Sequence, residues 1–598
     1  MRVADYIVSV LSKYSKQCYM VTGGGAMHLN DAFGRSIFKI TYCHHEQACA
    51  IAAEAEARIT GIPATVCVTT GPGGINAING VFGAYVDSIP MIVVSGQVKR
   101  ATLVANYTGD WRQLGDQEVD ITNMVKGITK YAVTVMDPES IRYHLEKAIY
   151  LCMNGRPGPV WLDIPIDIQS MDIDVDKLSG FYEQSESKNE VFNQIEATTK
   201  IKSLISLLST SKRPVIVSGY GIWASQTQQL LLDFAEKYNI PIVTTFNSND
   251  LVHDEHPCYV GRAGTIGNRS GNFVIQSADL VIVLGSRLNI RIVSYNWESF
   301  APKANIACVD IDERELRKPT VKYNLPIHCC LKFFFKEIKN QLVDGVLGDY
   351  KEWLAWGKGR LEKYPVCLEE YWENTETVNP YCFVDELFDH LRENETVVCA
   401  DGTACVVTFQ GMKIKKGQRV FHNSGCASMG YDLPAAIGAF NAGRSSRILC
   451  IAGDGSIMMN IQELQTISGN AIPVQIFILN NKGYHSIRQT QRNFFKDNIV
   501  GCGVDSGLTF PDFKKVAVAF DFEYHCIQNH QDLKQKMKTI LTSNDRFICE
   551  VHLDMNQHFS PKLSSRILED GSMVTSSLED MWPFLSDEEL KSNKYIKE

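Results

Sequence analysis

The sequence RILCIAGDGSIMMNIQELQTISGNAIPVQIFILNN, residues 447–481, decides the fold of this chain. Two runs rich in β-branched and other apolar residues, 447–454 and 474–481, have the length of buried strands. Between them, MNIQELQTISG (459–469) suits a helix. A strand, a crossover helix and a second strand in this order predict two parallel strands of an α/β sheet.

Polar residues follow both predicted strands. Gly453-Asp454-Gly455 ends the first strand and Asn480-Asn481 ends the second. Ligands of open parallel sheets bind at the carboxyl ends of the strands, so we expect Asp454 and Asn481 to converge. A carboxylate and an amide oxygen, together with phosphate oxygens, suit octahedral Mg²⁺, and the glycines allow close approach to an anion. The pattern predicts a diphosphate held through Mg²⁺; the alternative is two ordinary turns.

The same alternation of strand and helix continues through most of the chain. It predicts an α/β fold class, with three doubly wound parallel-sheet domains over residues 1–175, 190–345 and 375–558 and a polar tail over residues 559–598. In the first domain GPGG (71–74) is expected to be a turn before a helix over residues 76–88. The predicted strands are 65–70, 91–96, 214–219, 240–245, 279–285, 306–312, 395–401, 447–454, 474–481 and 547–553.

Composition excludes several functional classes. The 598 residues carry a net charge of −9 without a long basic run, which argues against nucleic acid as a partner. The 18 cysteines are scattered and form no paired CxxC motifs, so we expect reduced, buried thiols. The N-terminus is a poor secretory signal, and no apolar stretch is long enough to cross a membrane. We therefore expect a cytoplasmic protein without a membrane partner.

The GDG and NN motifs, about two dozen residues apart, together with NNKGYHSIRQTQ (480–491), resemble those of thiamine-diphosphate (ThDP) enzymes. The resemblance implies three Mg²⁺ ligands, namely Asp454, Asn481 and the main-chain carbonyl of Gly483. Met429 would lie under the cofactor and bend it, although methionine is more commonly a core filler. The other residues implied to contact the cofactor are Gly24, Thr403, Ala404, Cys405, Ala427, Gly453, Gly455, Ser456 and Tyr484.

A glutamate of the first domain is the second candidate for chemistry. CHHEQACAIAAEAEARITG (43–61) places Glu46 near the start of an alanine-rich helix, where an acid is also favoured by the helix dipole alone. HEQ followed by AAEAEAR resembles the corresponding stretch of the acetolactate synthase group. This resemblance implies that Glu46 shares a proton with ring nitrogen N1′ of ThDP and so activates the thiazolium ring, since the cofactor carries the difficult chemistry.

The resemblance to acetolactate synthase large (catalytic) subunits extends over nearly the whole chain. It includes residues 69–98, 115–130 and 422–436 and implies three domains in the order pyrimidine-binding, middle Rossmann-like and diphosphate-binding. It implies that Gln117 lies on the substrate side. It also implies an active site formed between two chains of a homodimer or homotetramer.

The sequence of the middle domain leaves the presence of one further cofactor undecided. GRAGT (261–265), GSRLNIR (285–291) and VDID (309–312) resemble the flavin-contact segments of acetolactate synthases. Either FAD is bound, or these are Rossmann-like turns kept after flavin binding was lost. The implied FAD contacts are Gly264, Gly285, Arg287, Arg291 and Asp310.

Three departures from the synthases bear on the substrate. Where the synthases have a tryptophan after the NN segment, this chain has Gln489 or Thr490, and the flavin-loop acidic pair is replaced by Asn289 and Ile290. His28 stands where the synthases usually have an acid, either as a catalytic proton carrier or as a structural histidine. A more open, polar pocket suggests an acceptor larger than pyruvate.

These features predict ThDP-dependent decarboxylation of a 2-keto acid, with pyruvate as the expected donor, and carboligation to an acceptor carbonyl. One alternative is two-carbon transfer from pyruvate to a nucleotide-linked keto-sugar in branched-sugar or polysaccharide biosynthesis. Another is a ThDP-dependent lyase or hydrolase of a diketone. A non-catalytic ThDP-fold binding protein is disfavoured, because Glu46, Asp454 and Asn481 are all present.

Overall fold

A computed structural model describes residues 1–183, 191–343, 345–374, 376–495, 498–567 and 573–595. Within these ranges three six-stranded parallel sheets are covered by helices, which confirms the predicted α/β fold class. The predicted domain limits at residues 190 and 375, and parts of the predicted linker and tail, lie outside the described residues.

The first sheet lies in the N-terminal third. Its strands are β1 (Gln17–Met20), β2 (Lys39–Tyr42), β3 (Ala64–Val68), β4 (Met91–Gln97), β5 (Tyr131–Thr134) and β6 (Pro159–Pro165). Their spatial order is β2-β1-β3-β4-β6-β5. The central strands β3, β4 and β6 are buried along their whole length, as expected for a sheet covered on both faces. The helices are α1 (Val3–Leu11), α2 (Met27–Gly34), α3 (Glu46–Thr60), α4 (Pro72–Asp87), α5 (Ile121–Val125), α6 (Ile141–Met153) and α7 (Ile166–Ser170).

The second sheet forms the middle of the chain. Its strands are β7 (Pro214–Ser218), β8 (Ile242–Thr244), β9 (Tyr259–Arg262), β10 (Leu280–Leu284), β11 (Asn305–Asp310) and β12 (Leu325–His328). Their order is β12-β11-β10-β7-β8-β9, so the direction of winding reverses between β7 and β10. The helices are α8 (Gln194–Thr210), α9 (Gly221–Ala224), α10 (Gln228–Tyr238), α11 (Arg269–Ser277), α12 (Ile290–Val293), α13 (Glu313–Leu316) and α14 (Leu331–Gln341); the connector helix is α15 (Lys351–Lys363).

The third sheet contains the stretch quoted at the outset. Its strands are β13 (Thr396–Cys399), β14 (Arg419–Phe421), β15 (Ile448–Gly453), β16 (Val474–Asn480), β17 (Glu523–Ile527) and β18 (Phe547–His552), in the order β14-β13-β15-β16-β18-β17. The helices are α16 (Pro380–His390), α17 (Thr403–Gly411), α18 (Asp432–Asn441), α19 (Glu463–Gly469), α20 (His485–Phe495), α21 (Phe513–Ala519) and α22 (His530–Ile540). As the sequence predicts, α19 connects two neighbouring parallel strands, β15 and β16.

One local prediction is wrong. The GPGG segment is not a turn that precedes its helix, because α4 already begins at Pro72. Proline is well suited to the first helical turn, where its missing N–H has no partner to lose. Gly71, with a φ of 62°, supplies the sharp entry into the helix.

Helices α3 and α18 pack against each other and join the first and third sheets. A buried polar cluster crosses this contact, in which the Arg58 guanidinium donates to Asp87 (2.7 Å) and also pairs with Glu54. The Tyr431 hydroxyl of the third domain donates to Glu54 Oε2 at 2.7 Å. These four side chains bond to one another, and Asp87 also accepts from Asn247 Nδ2, so the cluster ties the two domains together.

The tail folds back onto the middle domain. Its elements are β19 (Ser565–Ile567), β20 (Met573–Thr575) and α23 (Asp587–Ser592). Leu563 N donates to Thr265 O at 2.7 Å, and the Tyr595 ring packs edge-on against Trp353 and Trp356 of α15. None of the helices in the described residues has the length and apolar character to span a bilayer.

Candidate active site

Two polar loops meet at the carboxyl edge of the third sheet. Strands β15 and β16 pair in parallel with Gly453 opposite Leu479, so Asp454 and Asn481 both follow the strands at the same carboxyl edge of the sheet. Gly483 N donates to Asp454 Oδ2 at 2.9 Å, and Asn481 Nδ2 donates to Thr403 Oγ1 at 3.2 Å. The structure therefore brings together three strand ends of one sheet around Asp454.

The donor set of this cluster fits a divalent cation. Asn481 Oδ1 is buried without a hydrogen-bond partner, and burial raises the pKa of Asp454 to about 7. The described residues contain no group of three His, Cys, Asp or Glu side chains that could hold a metal. A cation here would instead be bound by one carboxylate, one amide oxygen, the Gly483 carbonyl and oxygens of its ligand, a set that suits Mg²⁺.

A space for an anion lies next to this cluster. Helix α17 begins at Thr403, behind Gly402 with a φ of 80°, and a Cβ placed on Gly402 would meet nothing within 4 Å. The first-turn amides, including those of Ala404 and Cys405, have no partner inside the helix and carry the positive end of its dipole. The Cys405 thiol contacts Asp401 Oδ1 at 3.5 Å, and burial raises its pKa.

The loop before α18 is fixed to the GDG loop. Gly430 N donates to Ser456 Oγ at 2.9 Å, and Ser456 Oγ donates to Asp432 Oδ2 at 2.6 Å. Ala427 has a φ of 55°, a left-handed conformation that costs energy for a residue with a side chain. Met429 is partly exposed rather than enclosed in the core. Tyr484 packs so closely on Gly455 that a Cβ there would lie 2.2 Å from its ring.

Glu46 is the first residue of α3. The helix is capped by His45 Nδ1, which accepts from Gln47 N at 3.1 Å, and Glu46 is 9% exposed. Its Oε2 accepts a hydrogen bond from Asn76 Nδ2 of α4 at 3.0 Å. Asn76 is absent from the sequence-based site, because its role depends on how two helices pack.

The other first-domain candidates adjoin the same turn. Gly25 N donates to Thr69 Oγ1 at 3.1 Å, which places the loop of Gly24 beside the start of α4. Gln117 has a φ of 63°, and its carbonyl oxygen would be 2.2 Å from a Cβ on Gly71. His28 is partly exposed in the first turn of α2.

Within one chain the candidates thus form two groups. Glu46, Gln117 and Gly24 surround the start of α4, whereas Asp454 and Asn481 lie in the third domain. In the described part of the chain no hydrogen bond joins Glu46 to Asp454 or Asn481. The two domains nevertheless touch nearby, because His44 N donates to Glu463 Oε1 (3.0 Å) and Ser428 Oγ to Asn79 Oδ1 (2.7 Å).

A third group lines a cavity of about 270 Å³ at the reversal between β7 and β10. Ligands of doubly wound sheets bind at this point. Gly285, Arg287 and Asp310 line the cavity, and burial raises the pKa of Asp310 to about 6. Gly264 and Arg291 are not among the residues that line it, although they lie against each other, with Arg291 O 2.5 Å from where a Cβ on Gly264 would stand.

The cavity also includes residues that sequence reasoning missed. Arg156 of the first domain reaches the wall and pairs with Glu315 at 2.7 Å. Asn247 Nδ2 donates to Asp87 Oδ1 at 2.8 Å, and both residues line the cavity. The sequence gives no signal for Arg156, Asn247 and Asp87 as cavity residues. They are far along the chain from the flavin-like segments, and only the contact between domains brings them to the cavity.

Family models and known proteins match this chain along most of its length. Three family models match: thiamine pyrophosphate enzyme, N-terminal TPP binding domain (residues 1–124), central domain (201–338) and C-terminal TPP binding domain (401–551). Thiamine pyrophosphate (TPP) is another name for ThDP.

Relatives align over nearly all of the chain. A probable acetolactate synthase large subunit of Methanocaldococcus jannaschii is 30% identical over 93% of this chain and 92% of that protein. The acetolactate synthase large subunit of Lactococcus lactis is 29% identical over 92% of both chains. The isozyme 1 large subunit of Escherichia coli is 28% identical over 93% of this chain and 95% of its own. With three sheets, three matching models and end-to-end relatives, the chain belongs to the thiamine pyrophosphate enzyme family, as a ThDP-dependent enzyme similar to acetolactate synthase large subunits.

Proposed function

We propose that this enzyme decarboxylates a 2-keto acid, with pyruvate as the leading donor, and ligates the remaining fragment to an acceptor carbonyl. The observation that carries this proposal is the buried cluster of Asp454, Asn481 and Thr403, in which Asn481 Oδ1 lacks a partner. An unsatisfied buried oxygen costs free energy, so a bound cation explains its retention. Asp454, Asn481 and the Gly483 carbonyl would hold Mg²⁺.

The residues around this cluster would hold the rest of the cofactor. The first-turn amides of α17, from Thr403 to Cys405, face an open space that suits a diphosphate. Met429 and Ala427 belong to a loop fixed to Ser456, so they would support the rings in a defined position. When bound, ThDP supplies a nucleophilic carbon and an electron sink for decarboxylation.

Glu46 would exchange a proton with the pyrimidine ring. Its position at the start of α3 leaves it nearly enclosed, with Oε2 bound by Asn76. Among the described residues Oε1 accepts no hydrogen bond, so it would be available to bind N1′. In this proposal Gln117 lies on the substrate side, on a strained backbone against Gly71.

A second copy of the chain would complete the site. Helix α4 exposes Ile75, Phe82 and Tyr85 at 42%, 37% and 36% on one face. This face begins near the start of α4, beside which Glu46 of α3 lies. An exposed apolar stripe on one chain is typical of a surface that a partner covers. It supports a homodimer or homotetramer in which Glu46 faces the diphosphate-binding residues of another chain.

FAD remains a proposal for the middle-domain cavity. Gly221 and Gly285 form part of the wall with their backbones in close contact, and Arg287 and Asp310 offer partners for phosphate and ribose. The absorbance spectrum of the purified protein tests this: a flavin band is expected. A colourless protein that neither gains a band nor is stabilised when FAD is added would contradict it.

One observation favours a second acceptor class. Gln489 is buried and bonded to His485 and the Gln557 carbonyl, whereas Thr490 is exposed. Of the two positions, exposure favours Thr490 as the one where the synthases carry a tryptophan, and a small side chain there would leave more room. This supports a nucleotide-linked keto-sugar as an alternative to a second 2-keto acid.

The experiment is a product assay with purified enzyme, ThDP and Mg²⁺. Pyruvate alone is expected to release CO₂ and give acetolactate, and an added keto-sugar nucleotide would divert the product if it is the true acceptor. Cleavage of a cyclic diketone without pyruvate would favour the lyase instead. Failure to decarboxylate any 2-keto acid while ThDP is bound would overturn the proposal.

A further inference from the structure

We infer that Asn76 is a positioning residue that holds the Glu46 carboxylate for proton exchange. The inference rests on the proposed function in one respect, namely that Glu46 acts on ThDP. It adds Asn76 of α4 to the residues that control proton exchange at Glu46. Its amide would bind one carboxylate oxygen and leave the other directed at the cofactor.

Helix packing explains why Asn76 is beside Glu46. Helices α3 and α4 lie side by side, and a Cβ on Gly80 would be 2.6 Å from Ala50 Cβ. Asn76 lies one turn before Gly80, and Glu46 lies one turn before Ala50. The close approach at Gly80 therefore sets the two side chains at the same level.

The two carboxylate oxygens have different surroundings. Oε2 accepts from Asn76 Nδ2 at 3.0 Å, and this is the hydrogen bond that the described residues give the Glu46 side chain. Oε1 lies beside Gly73, 3.4 Å from where a Cβ would stand. A glycine at that position keeps the space next to Oε1 clear.

The type of donor matters for the chemistry. An amide donates to an ionised carboxylate without adding a charge, so Glu46 keeps its ability to take and return a proton. A cation at this position would bind the carboxylate too tightly. A hydrogen bond to one oxygen also restricts rotation about the terminal torsion, which is broad when the group is free.

Other titratable groups face this carboxylate. His45 caps the same helix, Cys49 lies one turn along it, and Glu463 of α19 accepts from His44 N. From α4 the facing polar side chain is Asn76, which does not titrate. These groups stay unchanged in variants of Asn76, so a change in pH dependence reports on the Asn76 contact.

The test compares Asn76→Ala and the nearly isosteric Asn76→Asp in the full-length enzyme loaded with ThDP and Mg²⁺. Asn76→Asp is expected to move the acidic limb of the kcat profile upward by about one pH unit, because two adjacent carboxyl groups oppose ionisation. Asn76→Ala is expected to lower kcat about 10- to 100-fold with little change in KM. The circular dichroism signal of the imino tautomer of bound ThDP should shift along the same pH axis.

Asn79→Ala is the matched control, because Asn79 lies one turn further along α4 and contacts Ser428 instead. It is expected to leave the pH dependence in place. If both Asn76 variants keep the wild-type pH profile and dichroism titration, or only lower the apo melting temperature, the inference is wrong. If either Asn76 variant fails to fold, Asn76→Ser is measured in its place. Full activity of Glu46→Gln would contradict the proposed function, whatever Asn76 does.

Discussion

Single atoms distinguish the site from an ordinary sheet edge. Asn481 Oδ1 is buried without a hydrogen-bond partner, as are several other side-chain atoms of the described residues, Gln475 Oε1 of β16 among them. Asn481 differs from these in its place at the carboxyl edge of the sheet, in the loop whose Gly483 N donates to Asp454 Oδ2. Native proteins rarely retain such an atom unless a ligand satisfies it. We therefore expect a cation to complete this edge of the sheet.

Replacing either side-chain ligand tests that expectation. Asp454→Asn and Asn481→Ala are expected to weaken Mg²⁺-dependent ThDP binding by at least about 100-fold, since each removes one oxygen from a small ligand set. Binding is measured by quenching of intrinsic fluorescence at several Mg²⁺ concentrations. Asn470→Ala is the control, because Asn470 is exposed at the end of α19 and its Nδ2 donates to Thr466 O. Unchanged affinity in the two ligand variants would contradict the metal assignment.

A buried acid gives a pH prediction. Burial raises the pKa of Asp163 to about 7, although Ser95, Gln97 and Thr134 donate to it. The folded protein therefore binds a proton that the unfolded chain has lost between about pH 4 and pH 7. Stability should decrease as pH rises through this window.

Thermal unfolding of the apo protein across that pH range measures the effect. Asp163→Asn is expected to flatten the pH dependence, whereas the exposed Asp176→Asn should leave it unchanged. An identical slope in wild type and Asp163→Asn would show that Asp163 is ionised throughout.

At the scale of elements, the sequence pattern predicts the positions of strands better than it predicts contacts between elements. The runs ending at Asp454 and Asn481 became β15 and β16 within a residue of expectation, because buried parallel strands need continuous apolar sequence. The start of α4 was misjudged, since glycine is typical of turns and its helical use depends on close packing. Asn76 and Arg156 could not be found, because their partners are distant in sequence and are set by helix and domain packing.

The packing of α3 on α4 can be tested at Gly80. Gly80→Ala would place a Cβ 2.6 Å from Ala50 Cβ and 2.8 Å from Ile51 N, in a buried contact. We expect destabilisation of about 1–3 kcal/mol from overpacking, seen as a lower melting temperature. Gly359→Ala in α15 is the control, because a Cβ there would meet nothing within 4 Å. Equal melting temperatures would contradict the close contact.

At the scale of the molecule, the three sheets have different structural roles. The first and third are joined by the buried cluster around Arg58, and the second contributes a cavity that borders both. The polar tail, for which the sequence predicts no elements, packs the Tyr595 ring edge-on against α15. Hydrophobic periodicity was a poor guide there, because the tail binds through scattered single side chains.

Assembly is the corresponding prediction. Phe82→Asp is expected to shift the enzyme from a dimer or tetramer toward monomer and to lower activity with it, because it places a charge on the exposed stripe of α4. Light scattering coupled to size exclusion measures the mass. Ile37→Asp is the control, since Ile37 is 86% exposed and lies away from α4. A fully active monomer would contradict a site shared between chains.

We propose that Glu46, from the first domain, activates ThDP held by the third. The most direct measurement is the rate at which the thiazolium C2 proton of bound ThDP exchanges with solvent deuterium, followed by NMR after acid quench in wild type and Glu46→Gln. We expect fast exchange in the wild-type enzyme and a fall of at least about 100-fold in the variant, with ThDP still bound. Equal exchange rates in the two proteins would contradict it.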